Sequence, residues 1–541
     1  MNKLLLSIVI LILTILDFLK AQSPVFTMET IGSNRFIETP WDLEYGPDDL
    51  LWVTEREAGR VLHIDPETGN FEVLLTLADV YSDSRQDGLL GMALHPNLLG
   101  TDPYVYLSYT YLKDGQRTQR LVRYTLENNK LIAPQILIDN LPASHDHNSG
   151  RLVFGPDSTL YYSIGDQGNN QNRNYCAAIL SQVLPFQDEI DQKNWKNYPG
   201  KILRLNLDGS IPGDNPMLQG VKSHIFSYGH RNAQGLVFGS NGQLYSDEHG
   251  PNTDDEINAI IAGRNYGWPV VVGFRDNQAY DFCNWSSLSN CSSVSYSNGS
   301  CPEGAELLEE TSLQAENYTE PLYSMFAVTD DYNYNDPACE NSWICRPNVA
   351  PSSIEIYESE SIPNWSNSLL VTSLKRGRIY RLKLNEEGTS VVGDTIEHFY
   401  TQNRYRDIAI APDGKSIYIL TDEDGRVSGS TGLTIADGLA NPGNILKFTL
   451  QESVSTENYL DEIGFSVFPN PAKDIIFIQP KDNSNPIVSV QMYQVNGKLL
   501  INHYSLNSAT VKISVSKLVP GLYFLRIITK NGQLTRRVII D

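Results

Sequence analysis

The chain has 541 residues, 41% of them hydrophobic and 19% charged, a globular composition long enough for more than one domain, which excludes a disordered chain. A formal net charge of −23 leaves no basic face for phosphates and excludes a nucleic-acid partner. The 29 tyrosines, 39 glycines and 28 prolines favour aromatic strands and frequent turns over helices.

The first element is an export signal. Lys3 supplies a positive start, Leu4 to Leu16 an apolar run, and Ala21 a cleavage residue, so segment 1–21 is removed and the mature chain starts near Gln22. Asp17 and Lys20 break the run before it reaches a comfortable membrane span; an anchor is the alternative.

One pattern then keeps returning: an apolar triplet, a turn of Pro or Gly with Asp or Asn, and an aromatic-rich strand. It occurs at Leu43–Glu55, Met92–Tyr109, Leu152–Asp166, Leu236–Glu248 and Ile408–Asp422. Each is a hairpin signal, and its return across residues 22–450 predicts a β-propeller, with a sandwich as the alternative. Loop-like insertions at 170–200 and 275–345 are where such folds build sites.

Several polar segments punctuate these hairpins. Ser84–Pro96 (SRQDGLLGMALHP) carries Gln86, and Ile164–Gln171 (IGDQGNNQ) carries Gln167. His145–Asp157 (HDHNSGRLVFGPD) places Asp146 and His147 before a strand; such a histidine suits general-base work near neutral pH, or is merely a hydrogen-bonded loop residue. Tyr228–Ile260 sets Arg231 and Asn232 in one turn, then the Gly250-Pro251 pair beside Asp254, Asp255 and Glu256. Arg231 is a fixed donor for a carboxylate or developing oxyanion, or half of a surface ion pair. The Pro251 nitrogen cannot donate, but its carbonyl can bind a hard cation. Cations recur at Lys375 in Ser373–Leu382 and at Arg404 and Arg406 in Gln402–Asp407; the alternative for these is charge that protects strand edges.

The six cysteines, in an exported chain, are disulfide candidates. Cys339 and Cys345 are spaced for a small loop. Cys283, Cys291 and Cys301 share one Ser/Asn-rich insertion in which two can pair; connectivity beyond that stays open.

The polar segment 451–464 reads as a linker. A second unit follows over 465–541: Phe465–Ile478, a hairpin about Asn496-Gly497, and a final basic strand within Leu518–Asp541. Alternation and NG turns predict a small β-sandwich. The full expectation is all-β, a six-bladed β-propeller followed by a C-terminal β-sandwich.

The polar segments together resemble the soluble quinoprotein glucose dehydrogenases, which use pyrroloquinoline quinone (PQQ) and calcium. The resemblance spans roughly Phe36 to Leu450 and includes Pro199–Pro216, Asp331–Cys339 and Arg346–Ser353. It implies an aldose dehydrogenase that forms lactones and passes electrons to a soluble acceptor. His147 would take the proton of the C1 hydroxyl, with Asp146 orienting or polarising it, and Arg231 would sit against the quinone carbonyl. Gln86, Gln167, Asn232, Lys375, Arg404 and Arg406 would contact cofactor or substrate. The carbonyls of Gly250 and Pro251 would bind the calcium beneath PQQ, with Asp255 in the outer shell. Asp276, the carbonyls of Val272 and Phe274, and Glu310 would hold a structural calcium.

Three positions depart from that pattern. His249 replaces a Gln, and Trp343 and Arg346 replace the Tyr and Trp that flank the cofactor, so Arg346 can meet a PQQ carboxylate or an acidic substrate group. The tail, through FPNPAKD, VNGK and LVPGLYFLRI, resembles the C-terminal sorting domain of the type IX secretion system of the Bacteroidetes, and implies that machinery as a partner and a secreted or cell-surface protein; an accessory binding module is the alternative. A homodimer is left open. The competing functional readings are a calcium-dependent lactonase and a non-catalytic glycan-binding propeller. No GxSxG elbow is present, which disfavours a serine esterase.

Overall fold

The computed structural model describes residues 24–32, 37–83, 86–334, 337–340, 342–451, 465–480, 487–494, 498–503, 510–529 and 532–541. The export signal, residues 452–464 of the linker and the Asn496-Gly497 turn lie outside them. The chain divides after Leu450 into two compact units.

In the first unit the repeated turn does the same local work each time. Asp48, Asp157, Asn241 and Asp413 each accept a backbone N–H two residues on, from Leu50, Thr159, Gln243 and Lys415 at 3.4, 3.0, 3.0 and 2.8 Å. This side-chain closure reverses the chain, so the flanking apolar runs pair antiparallel, as in Leu152–Phe154 with Leu160–Ile164 and Ala233–Phe238 with Leu244–Glu248.

Among the described residues of this unit six four-stranded antiparallel sheets result, five in chain order and one shared between its two ends. The opening strands are Pro40–Tyr45, Leu89–Leu94, Leu152–Phe154, Ala233–Phe238, Pro351–Tyr357 and Tyr405–Ile410. Each lies against the next, and the last returns to the first, which gives a propeller-like ring. The second strands, such as Leu51–Glu55 and Leu160–Ile164, are buried along their whole length because a neighbouring sheet covers each face. The sheet made from both ends pairs Phe26–Ile31 with Ile445–Leu450, Phe26 opposite Leu450.

Charge lines the axis of the ring. Arg151 bridges Asp42 at 3.0 Å and Asp407 at 2.8 Å. Beyond it a cavity of about 400 Å³ is lined by Glu44, Glu355, Tyr45 and Phe238, at the far ends of the opening strands. Burial pushes the Glu355 carboxyl up to about 7.

Three disulfides close the loops: Cys176–Cys291, Cys283–Cys301 and Cys339–Cys345. Among the described residues no helix is long and apolar enough to span a membrane.

The second unit has one sheet of Phe465–Phe468, Ile475–Pro480 and Val511–Ser514, and another of Ile487–Gln494, Leu499–His503, Gly521–Thr529 and Gly532–Ile540. Alternate residues, including Ile476, Ile478, Val490, Met492, Ile513, Leu525, Ile527 and Val538, meet in one core.

Candidate active site

The loops that precede the opening strands meet at one end of the ring. The turn 144–150 is held by Asn148, whose side-chain amide donates to the carbonyls of Ser144 at 2.8 Å and Gln86 at 2.7 Å. His147 and Ser149 both adopt left-handed φ, 48° and 54°, a conformation disfavoured for residues with a Cβ and kept where a site over-determines it. Gly165 packs on this turn so tightly that an added Cβ would stand 2.2 Å from the His147 carbonyl oxygen.

The His147 ring is buried, with both nitrogens engaged. Nδ1 lies 2.7 Å from Asp166 Oδ1, and Nε2 lies 3.1 Å from the Gln171 side-chain nitrogen. The carboxylate fixes the proton on Nδ1, so Nε2 presents a lone pair. Asp166 also accepts Gly168 N–H at 2.8 Å and Trp268 Nε1–H at 2.9 Å, which anchors it. Asp146 instead accepts the backbone N–H of His147 at 3.1 Å, and its carboxylate is 3.9 Å from Nε2. Asp166 is thus the group that orients the ring, and neither it nor Gln171 was singled out from the sequence. Both stand in IGDQGNNQ, directly after a strand that is buried throughout, a pattern that marks an inward-turning polar pair.

Arg231 faces His147 across Gln171. Its guanidinium donates to Gln171 Oε1 at 3.1 Å and to the His249 carbonyl at 3.2 Å, and it packs 5.2 Å from the Trp268 ring centroid. The backbone N–H groups of Arg231 and Asn232 both donate to Glu248, which fixes the turn. Asn232 Oδ1 accepts the Ser149 hydroxyl at 3.0 Å. Gln167 turns on a left-handed φ of 68° and its amide donates to the Gly165 carbonyl at 3.0 Å.

Gly250 and Pro251 line a small cavity with Arg231, Glu248, His249, Glu256, Trp268 and Val272. Asp255 holds this loop: it accepts Gly250 N–H at 2.9 Å and, from the loop before the strand Pro351–Tyr357, the N–H groups of Val349 at 2.5 Å and Ala350 at 3.0 Å. Burial keeps the His249 imidazole well below its ordinary pKa, with the Arg231 charge adding to the effect, so the ring is neutral.

Lys375 is buried, donates to the Arg346 carbonyl at 3.2 Å and to Asn348, and lies 5.9 Å from the Trp343 ring centroid. Burial lowers its pKa to about 7 against the pull of Asp255, and the charges of Arg376, Arg346 and Arg404 push the same way as burial. Arg404 and Arg406 share one carboxylate, Asp422, at 3.0 and 2.7 Å. Burial would raise the Asp422 pKa, but the two guanidiniums outweigh it and hold the carboxyl below its usual value. Trp343, 48% exposed, and Arg346 extend the rim, where Arg346 donates to Asn252.

Buried donors are left over at this end. Arg231 Nε, Arg346 Nε and Asn232 Nδ2 have no hydrogen-bond partner. Unsatisfied donors on two guanidiniums beside a buried lysine suit a polyanionic ligand, so the residues fit PQQ and its three carboxylates. Among the described residues no three His, Cys, Asp or Glu side chains gather as a metal site, so a cation at the expected positions would have to rest on backbone oxygen. The Gly250-Pro251 turn, beside Glu248 and Glu256, fits a hard cation on that basis. At the second position Glu310 accepts the N–H groups of Val272, Asp276 and Asn277 at 3.0, 3.1 and 2.8 Å, and burial raises its pKa to about 7. The Phe274 carbonyl accepts Asp276 N–H at 2.8 Å. This loop is held by its own hydrogen bonds, and its donor set does not by itself fit a metal.

The model of the Glucose / Sorbosone dehydrogenase family matches residues 37–287 and 314–429, and that of the secretion system C-terminal sorting domain matches 466–541. Quinoprotein glucose dehydrogenase B of Acinetobacter calcoaceticus is 42% identical over 452 residues, 81% of this chain and 94% of its own. An aldose sugar dehydrogenase of Escherichia coli (strain K12) is 26% identical, over 72% of this chain and 88% of its own. Among solved structures, the PQQ-bound aldose sugar dehydrogenase of Streptomyces coelicolor covers 80% of this chain and all of its own, at 25% identity and a TM-score of 0.52. The sorting-domain match points to export, to the cell surface or the medium.

Proposed function

Since this chain belongs to the glucose/sorbosone dehydrogenase family, we propose that it is a PQQ- and calcium-dependent aldose dehydrogenase that oxidises the C1 hydroxyl of sugars to the lactone. The observation that carries the reading is the pairing of His147 Nε2 with the Arg231 guanidinium across Gln171, the ring being anchored from behind by Asp166.

When bound, PQQ supplies the two-electron acceptor. The protein supplies the proton chemistry and the charge. A sugar hydroxyl entering between His147 and Arg231 exchanges hydrogen bonds with Gln171, and His147 Nε2 takes its proton. Asp166 stabilises the imidazolium that forms, through the Nδ1–H bond. Arg231 sets positive charge opposite the base, where negative charge develops. Arg346, Asn232 and Lys375 would hold the carboxylates of the cofactor, and the Gly250 and Pro251 carbonyls its calcium, with Asp255 fixing the turn. Glu310, Asp276, Val272 and Phe274 act as a loop brace held by backbone hydrogen bonds to the Glu310 carboxylate.

The reading rests on a six-bladed β-propeller of residues 22–450, supported by the six sheets and the closed ring of opening strands, after an export signal at 1–21. Residues 465–541 form a β-sandwich, supported by two sheets on one core, that addresses the protein to the type IX secretion machinery. Electrons leave to a soluble acceptor.

Reconstitution tests this. The mature full-length chain, freed of metal and cofactor, is given calcium and PQQ, and dye reduction with glucose is followed. Turnover that needs both additions is expected. No PQQ binding, together with lactone hydrolysis by the cofactor-free protein, would overturn the reading in favour of a hydrolase.

A further inference from the structure

Behind the turn that carries Arg231 and Asn232 stands a buried chain of three side chains. A carboxylate only accepts, so the proton on His230 Nδ1 points at Glu248 Oε2, 3.0 Å away. On the other side of the ring Nε2 lies 2.8 Å from the Ser227 hydroxyl. The imidazole also stacks on Tyr266, with centroids 4.7 Å and planes 23° apart. Ser, His and acid in that order are the parts of a hydrolase triad, but Ser227 and His230 are buried, and no substrate reaches the hydroxyl. What this chain can act on is the group that Glu248 holds.

The two oxygens of Glu248 face different ways. Oε2 meets the imidazole, which leaves Oε1 to accept both the Arg231 and the Asn232 backbone N–H groups. From the opposite side, the Arg231 carbonyl accepts the Asp166 N–H at 2.8 Å, and the His230 carbonyl accepts the Ser181 hydroxyl at 2.7 Å. Arg231 thus shares a backbone hydrogen bond with the residue whose carboxylate orients His147. A shift of this turn displaces the cation and the base together.

We propose that His230 is a positioning residue: held by Ser227 and Tyr266, it fixes the rotamer of Glu248 and, through Glu248, the place at which Arg231 and Asn232 enter the site. The catalytic consequence rests on the dehydrogenase reading above. A glutamate turns about three side-chain torsions, and two N–H groups on one oxygen leave the other free to swing. The imidazole N–H pins that second oxygen with a charge-assisted bond, the stronger kind. Without it Oε2 is left buried and unpaired, and the carboxylate turns to recover a donor, taking Oε1 and the two backbone N–H groups with it. Small displacements of a positioned charge are expensive in rate: about 1 Å costs on the order of 10²-fold.

Two variants test this. His230→Leu removes both ring nitrogens, whereas in His230→Asn the side-chain NH2 stands where Nδ1 does and restores the donor to Glu248. Hydrogen–deuterium exchange of the peptide that spans Arg231 and Asn232 is read by mass spectrometry on the cofactor-free full-length chain. It should quicken about tenfold or more in His230→Leu and return to within about threefold of wild type in His230→Asn. In the PQQ- and calcium-loaded chain, kcat for glucose should fall at least about tenfold in His230→Leu and recover in His230→Asn, with the glucose KM changed by less than about threefold. Unchanged exchange in His230→Leu overturns the proposal, and so does faster exchange with a wild-type kcat. A loss that His230→Asn does not restore also overturns it, in favour of a packing role for the ring. If His230→Leu fails to fold, Ser227→Ala decides, since it frees Nε2 and leaves the ring in place; exchange about threefold faster with a lower kcat is expected, and wild-type values of both overturn the proposal. Absence of sugar oxidation by the wild-type chain would refute the dehydrogenase reading alone, because the exchange data still decide whether His230 holds the turn.

Discussion

Asp166→Asn keeps the side chain's volume and removes its charge. Three donors converge on this buried carboxylate: His147 Nδ1–H, Gly168 N–H and Trp268 Nε1–H, at 2.7, 2.8 and 2.9 Å. A carboxamide has one accepting oxygen for them. If its NH2 turns to Trp268, two buried donors oppose each other at a cost of about 1–3 kcal/mol. If it turns to His147, the imidazole must accept at Nδ1 and carry its proton on Nε2, and the base is gone. Losing the charge-assisted bond alone costs about 1.5–3 kcal/mol, roughly 10- to 150-fold in rate. Inverting the tautomer removes the general-base contribution, about 10²–10⁴-fold. We therefore expect kcat for glucose to fall at least about 100-fold, with PQQ affinity, read by fluorescence titration, nearly unchanged. Steady-state dye reduction with cofactor-saturated protein is the assay. A kcat within about threefold of wild type would refute the idea that Asp166 sets the tautomer.

Gly165→Ala should disturb the same centre from the backbone side, because its Cβ would stand 2.2 Å from the His147 carbonyl oxygen and 2.8 Å from Asn232 Oδ1. A kcat loss of about tenfold or more, with a lower Tm, is expected; full activity would mean that the turn can shift freely. Glu355→Gln probes the ring axis. Burial raises the folded pKa of Glu355 to about 7 from 4.5, so as pH rises through that window the folded state retains a proton that the unfolded chain releases, and stability falls. The variant should match wild type in Tm at pH 4 and gain about 2–4 °C by pH 8, as read by thermal melts; equal Tm differences at both pH values would remove Glu355 from the pH response.

Much of the ring was legible because one turn chemistry repeats. Asp48, Asp157, Asn241 and Asp413 announce their hairpins by the residue that closes them, and Pro96 does so for the second sheet. The hairpin of Pro351–Tyr357 and Ser368–Ser373 was missed since its connection, 358–367, is long and its Pro363-Asn364 pair stands well after the apolar run that it would have to reverse. In the site, His147, Arg231, Asn232 and the Gly250-Pro251 pair were visible as segments. Which carboxylate reaches the imidazole was not, because Asp146 is adjacent in sequence while a left-handed turn at His147 swings the ring toward Asp166. Cysteine pairing divided the same way: Cys339–Cys345 closes a short loop, whereas Cys176 finds Cys291 across 115 residues of chain, and only the folded insertion brings them together.

The sheet stitched from both ends of the ring has a bearing on biogenesis. Phe26–Ile31 leaves the ribosome among the first strands, yet its partner Ile445–Leu450 comes after every other strand of the ring. Until then the early strand has no edge to join, and the loop it must close is nearly as long as the unit itself, which makes closure a late, slow event. The sorting segment, 466–541, follows that last strand in the chain. A nascent fragment that stops short of closure therefore also lacks its C-terminal sorting domain. Closure of the ring and possession of the sorting domain are thus completed in the same last stretch of synthesis, so a product truncated within the ring has neither.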